Sequence, residues 1–315
     1  MRPSTLVELA RRYGLPAELQ GDGSFANFIA LYRAACNVLR TPDDLRRLVR
    51  EVVEDAAADG AVWVEPAEWL TVDQARRLGL RDMEAMLEVI LDAAHRAAHE
   101  LGIGAGLIVS SNRTRPPREA VELARLAARY AGSGVVAFGL ADDETRGAPE
   151  SFAEAFVVAR EAGLISAPHA GEHRGPSSVR RALDALGARR IAHGVRAAED
   201  ADLLRYLADE GITLDVCPTS NVQLRVTPGF DEHPLPTLLR AGVAVSLNAD
   251  DPLFFGSGLL AEYEVARHRF GLDDATLAHI ARCSIRASGA PESLKSHALD
   301  QVESWLHPAG QASDR

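Results

Sequence analysis

Two short segments of the chain set metal-ligand and proton-donor side chains side by side. In Pro168-His169-Ala170-Gly171-Glu172-His173 an imidazole precedes a carboxylate by three residues. Gly171 lets the backbone reverse closely between them, so one turn can aim both groups at one cavity. Such a pair could hold a cation and move a proton, and the same fragment could equally be a surface loop. Asn248-Ala249-Asp250-Asp251-Pro252 offers adjacent carboxylates. Two buried acids repel unless a cation or a shared proton lies between them, which points to a metal. The other reading is a helix N-cap and turn. His193, in Ile191-Ala192-His193-Gly194, ends an apolar run; taken singly, a satisfied core histidine is the plainer reading. Cys217 has no base beside it in sequence and reads as core or pocket wall.

These groups sit where strands end. Apolar runs of strand length cover 61–66, 104–111, 134–141, 163–172, 189–195, 212–220 and 243–252. Amphipathic helices lie between them near 82–101, 117–131, 150–162, 177–187, 198–210 and 234–242, with three more near 257–270, 273–289 and 291–304. Three helices come first: one from about Thr5, with the capping box Thr5-x-x-Glu8, to Gly14; one over about 26–40; and one opening at Thr41-Pro42. Alternation of β and α with non-alternating apolar strands means a parallel sheet with helices outside. Polar clusters close at least five of the seven strands: Glu65, Ser110 to Asn112, His169 to Glu172, His193, and Asp250 with Asp251. A barrel brings all strand ends to one axis, whereas an open sheet scatters them, so a (β/α)8 barrel is favoured although only seven strands are found. One domain is expected over 1–306, with a disordered tail over 307–315.

Composition narrows the chemistry. The 315 residues carry 45 acidic and 34 basic side chains, a formal charge of −11 that disfavours a phosphate-tracking nucleic-acid binder. Lys295 is the single lysine, so Schiff-base chemistry, a carbamylated-lysine metal bridge and a Walker loop are excluded. Glycines 102–106 precede a strand instead of following one, against a dinucleotide fingerprint. Cys36, Cys217 and Cys283 have no CxxC spacing, which argues for a reducing compartment, the cytoplasm by default. No apolar run approaches a membrane span, and arginines interrupt the first segment where a leader would need an apolar core.

Taken together, HAGE at 169–172, the His193-Gly194 pair, CPTSN at 217–221 and SLNADDP at 246–252 resemble the adenosine deaminase family of zinc-dependent purine deaminases. The likeness extends to RPSTLVELARRYGLP at the front and to LLAEYEVARHRFGL and ARCSIRASGAPESLK behind. It implies a barrel of the metal-dependent hydrolase kind that hydrolyses the 6-amino group of a purine, adenosine first, with one zinc per chain. His169 and Asp250 would be zinc ligands, and Glu172 the acid that protonates ring nitrogen N1. His193 would orient and deprotonate the attacking water, and Asp251 would hold the hydroxide and contact the purine. Gly171 and the backbone near Ala141 and Asp142 would face the ring. A catalytic zinc lowers the pKa of bound water from about 15.7 to about 7, roughly 12 kcal/mol, which no side chain supplies alone.

Two departures from the family pattern bear on this. The family's other zinc ligands are a His-x-His pair ending the first barrel strand, and no histidine here precedes His95. The expectation is a gene product that begins roughly a dozen residues before Met1, in a segment carrying that strand and pair. A chain holding two ligands instead of three also keeps open a catalytically dead purine-nucleoside binder. Secondly, Gly139-Leu140-Ala141-Asp142-Asp143-Glu144 stands where adenosine deaminases read DLAGDE, a version similar to branches acting on adenine or aminodeoxyfutalosine. A non-purine amidohydrolase is the third alternative. Glu65 and Trp69 could line a pocket or the surface, and Arg113 and Arg115 read as a solvated loop more readily than as substrate contacts.

Overall fold

The computed structural model describes residues 1–17 and 21–307; residues 308–315 of the expected tail lie outside the described residues. Ten strands fill seven positions in chain order. β1 (Trp63–Val64) and β2 (Ala67–Glu68) share the first, β3 (Gly104–Ala105) and β4 (Leu107–Asn112) the second, and β5 (Val135–Ala141) the third. β6 (Ile165–Ser166) and β7 (His169–Ala170) share the fourth, followed by β8 (Arg190–His193), β9 (Thr213–Val216) and β10 (Ala244–Leu247). All pairings are parallel: β1 with β3; β2, β4, β5 and β6 in order; β7, β8, β9 and β10 in order. Pro66 and Pro168 lie at two of the interruptions, where a residue without an N–H cannot continue the ladder. Among the described residues no ladder joins β10 to β1 or β2. This is a parallel α/β architecture with seven strand positions among the described residues, as the barrel reading expects.

The strand ends come earlier than the apolar runs suggest. The runs read as 212–220 and 243–252 stop as strands at Val216 and Leu247, and Pro218–Gln223 and Pro252–Phe255 are short helices. The proline after each strand starts the next turn of chain, since its fixed φ suits the first helical position. The polar residues of CPTSN and NADDP therefore belong to the connections at the strand ends.

Three helices precede the sheet: α1 (Pro3–Tyr13), α2 (Phe25–Asn37) and α3 (Pro42–Ala58). α3 starts as expected, with a reciprocal capping box between Thr41 and Asp44. The expected Thr5-Glu8 box is not formed. α1 begins earlier, because Pro3 supplies the first turn, and Thr5 is buried with its hydroxyl donating to Glu51 of α3 at 2.6 Å. The hydrophobic core lies where the sheet meets its outer helices, with Phe138 of β5 edge-on to Phe156 at 5.1 Å between centroids. No described helix is long and apolar enough to cross a membrane.

An ion network runs through the barrel interior. Arg190, at the start of β8, donates to Glu65 between β1 and β2 and to Asp215 of β9 at 2.9 and 3.0 Å. Ser246 of β10 donates to the other oxygen of Asp215, and Asn248 donates to Ser246 at 2.8 Å. Trp63 Nε1 and the Gly289 N–H donate to Glu65. Glu65 is thus neither surface nor a free pocket acid but the carboxylate that ties the first strand position to β8.

Candidate active site

The turn after β7 is built on one carboxylate. Glu144 accepts hydrogen bonds from the N–H groups of Gly171, Glu172 (3.0 Å), His173 (2.7 Å) and Arg174 (2.9 Å), and from the Ser178 hydroxyl. Burial opposes its charge, but the bonds from Ser178, Arg174 and Gly171 hold the carboxyl below its usual range. Gly171 has φ +70°, and a Cβ there would meet Val179 at 2.4 Å, so glycine is required on both counts. Sequence alone gives Glu144 no role. Its signal was a carboxylate one strand upstream of a glycine turn rich in unpaired N–H groups.

On this turn Glu172 is buried, with its two oxygens 3.6 Å from His173 Nε2 and 3.7 Å from His193 Nε2. Burial raises its carboxyl above the ordinary range, and the two histidine charges only partly offset this. Ladder pairing sets Ala170 opposite His193, and the His169 and His193 rings lie 5.3 Å apart. His169 Nδ1 is buried with no hydrogen-bond partner among the described residues, although it belongs to a group that normally finds one. Burial, aided by the neighbouring His193, pushes its imidazole down to about 4, leaving a neutral ring with a lone pair to offer.

Opposite stands the connection after β10. Asp250 opens onto the site with φ +56°, and its Oδ2 accepts from Ser220 at 2.6 Å. Ligand atoms of His193, Cys217 and Asp250 lie within 4.8 Å of one another. Burial pushes the Cys217 thiol far above its usual range, which leaves it protonated and makes it pocket wall. The partnerless His169 nitrogen and the Asp250 carboxylate, held by Ser220, are groups that could serve a divalent cation. Asp251, half-buried, immediately precedes the helix Pro252–Phe255 without a capping bond from its side chain; burial and the Asp250 charge raise its carboxyl well above the ordinary range. His169, Gly171, Glu172, His193, Asp250 and Asp251 thus stand at or just beyond the ends of β7, β8 and β10, three strands of one four-stranded sheet.

Ala141 ends β5, and Asp142 follows with φ +76°. The Asp142 carboxylate is turned aside, accepting from Asn112 at 2.6 Å and pairing with Arg33 at 3.4 Å. Arg113 overturns the solvated-loop reading: it is 2% exposed and donates to the His169 carbonyl, while Arg115 pairs with Glu119 on the surface as that reading has it. Glu68, not Glu65, is the acid at the end of the first strand position, and burial pushes it up to about 7. An aromatic wall, not expected from the sequence, lies beside the site. Phe25, Phe28 and Tyr32 recur at helical spacing along α2; Phe25 meets His173 edge-on at 4.7 Å, and Phe28 meets Phe254 and Phe255 at 5.6 and 5.4 Å. That spacing was legible, but nothing local said which helix would cover the barrel mouth.

Comparison with known proteins agrees with this layout. The family model described as "Adenosine deaminase" matches residues 1–305. A "Putative adenosine/adenine deaminase" of Streptomyces virginiae is 47% identical over 319 residues, covering 97% of this chain and 93% of that protein. Among solved structures, an adenine deaminase from Arthrobacter aurescens superposes with a TM-score of 0.87 at 31% identity, covering 97% of this chain and 95% of that one. An amidohydrolase from Burkholderia ambifaria with bound zinc gives 0.84 at 26% identity, over 97% and 89% of the two chains.

Proposed function

Since the chain belongs to the adenosine deaminase family, we propose that it hydrolyses the exocyclic C–N bond of a 6-aminopurine with the help of zinc, releasing ammonia. The observation that carries this reading is the buried Glu172, its carboxyl raised by burial, 3.7 Å from His193 on the turn that follows His169. Adenosine going to inosine is the reaction expected from the motifs. The Arthrobacter relative is named for adenine, which supports free adenine as the first substrate to try.

His169 and Asp250 would hold the zinc, and when bound it would supply a water acidified enough to attack at neutral pH. Glu172, its proton affinity raised by burial, would give a proton to N1 of the ring and make the amine-bearing carbon electrophilic. His193 would orient the water beside Glu172. Asp251 would take a hydrogen bond from the incoming oxygen, and the backbone at Gly171, Ala141 and Asp142 would face the ring edge. The aromatic wall of α2 and the helix Pro252–Phe255 would keep bulk water out.

The proposed compartment is the cytoplasm, which suits three unpaired cysteines. The test is ammonia release from adenine, adenosine and aminodeoxyfutalosine, assayed side by side with zinc added and after chelation. Zinc-dependent release from any of the three supports the reading. Tight binding of purines without ammonia would replace it with a binder.

A further inference from the structure

A buried hydrogen-bond chain leads from a backbone amide to the ring of His193. The Leu235 N–H donates to His233 Nδ1 at 3.1 Å, His233 Nε2 lies 3.2 Å from Asn221 Oδ1, and Asn221 Nδ2 lies 3.3 Å from His193 Nδ1. All three side chains are buried. The direction of this chain follows from its first link. A peptide N–H can only donate, so His233 Nδ1 must accept and the proton of a neutral His233 sits on Nε2. That Nε2–H must meet an acceptor, which turns Asn221 Oδ1 toward it and Asn221 Nδ2 toward His193. An amide NH2 has no lone pair to offer, so His193 Nδ1 must be the bare nitrogen.

We infer that Asn221 and His233 are positioning residues that fix His193 as the Nε2–H tautomer, its proton aimed at Glu172 and the reaction site. The inference rests on the reading of His193 as a site residue and changes its role. With Nδ1 occupied and Nε2 already protonated, the neutral ring donates a hydrogen bond to the attacking water instead of removing its proton, against the expectation from family resemblance. The same polarity keeps an N–H, not a lone pair, facing the nearest Glu172 oxygen at 3.7 Å. His193 φ of +64° and the following Gly194, where a Cβ would meet Leu214 at 2.6 Å, hold the strand end in the bend that brings the ring to Asn221.

The test is long-range proton–nitrogen NMR on the full chain labelled with nitrogen-15 in its histidines, the His193 signals being identified by their loss in His193→Gln. The expected pattern is a bare Nδ1 and a protonated Nε2. Asn221→Asp puts an acceptor against Nδ1 and should move the proton there. His233→Gln can still accept from Leu235 and donate to Asn221, so it should keep the wild-type pattern. Asn221→Asp should also lower kcat by about 10–100-fold, with KM changing far less, while His233→Gln stays near wild type. A wild-type His193 protonated on Nδ1, or a pattern unmoved by Asn221→Asp, overturns the inference. The wild-type spectrum alone decides it if Asn221→Asp does not fold. Absence of ammonia from every purine would remove the proposed reaction and leave the tautomer as measured.

Discussion

Burial raises the Glu172 carboxyl, so its proton persists to higher pH than that of a surface glutamate. The sign follows directly. The protonated form is the working acid, so kcat/KM should fall as pH climbs through the raised value, and Glu172→Gln should lower kcat by about 10²–10⁴-fold and abolish that limb of the profile. The same shift means that the folded state binds the proton more tightly than the unfolded one. Stability therefore declines as pH rises above the ordinary glutamate value, and Glu172→Gln should show less of that decline in urea titrations at several pH values. At the metal, His169→Ala should lower bound zinc measured by elemental analysis at matched free zinc, with circular dichroism unchanged. The residues of this site were legible because HAGE, HG and NADD occur together; any one alone reads equally well as a loop, a cap or a core histidine. Asn221 and His233 were not legible as a pair, since only the fold brings together residues twelve positions apart.

At the scale of elements, the turn after β7 depends on Glu144, which takes four backbone N–H groups and one hydroxyl. Hydrogen bonds to a charged group contribute about 1.5–3 kcal/mol each, and they share one anion here. Glu144→Gln keeps one oxygen and loses the charge, so about 2–4 kcal/mol of stability should go, read as a lower urea midpoint, with kcat falling as Glu172 loses its fixed aim. Gly171→Ala should be worse for activity than for secondary structure, because its methyl would overlap Val179. The strands and most helices followed from apolar period and caps. The apolar runs over 212–220 and 243–252 outlast their strands, which end at Val216 and Leu247, because an apolar run and a polar strand-end motif are continuous in sequence. α1 began before its apparent capping box for a tertiary reason: Glu51 of α3 engages Thr5.

Across the whole molecule, the interior is tied together by charge as well as by apolar packing. Arg190 is flanked by Glu65 and Asp215, and burial alone would disfavour all three ions. Arg190→Met leaves two unpaired buried carboxylates and should cost about 3–5 kcal/mol in urea unfolding, while Glu65→Gln, Arg190→Met and Asp215→Asn combined should recover part of that loss. This network was invisible in sequence because its members are 25 and 125 residues apart and read individually as strand-end polars. The barrel itself was legible, since strand ends rich in acids and histidines must share an axis to do chemistry together. The central claim is that this shared axis deaminates a 6-aminopurine with zinc. Its most direct test is ammonia release by the purified chain, with zinc in excess, from adenine and adenosine in parallel with Glu172→Gln. Zinc-dependent ammonia is expected from at least one purine, nearly abolished by Glu172→Gln. Equal ammonia from wild type and Glu172→Gln, or none from any 6-aminopurine with zinc bound, would contradict it.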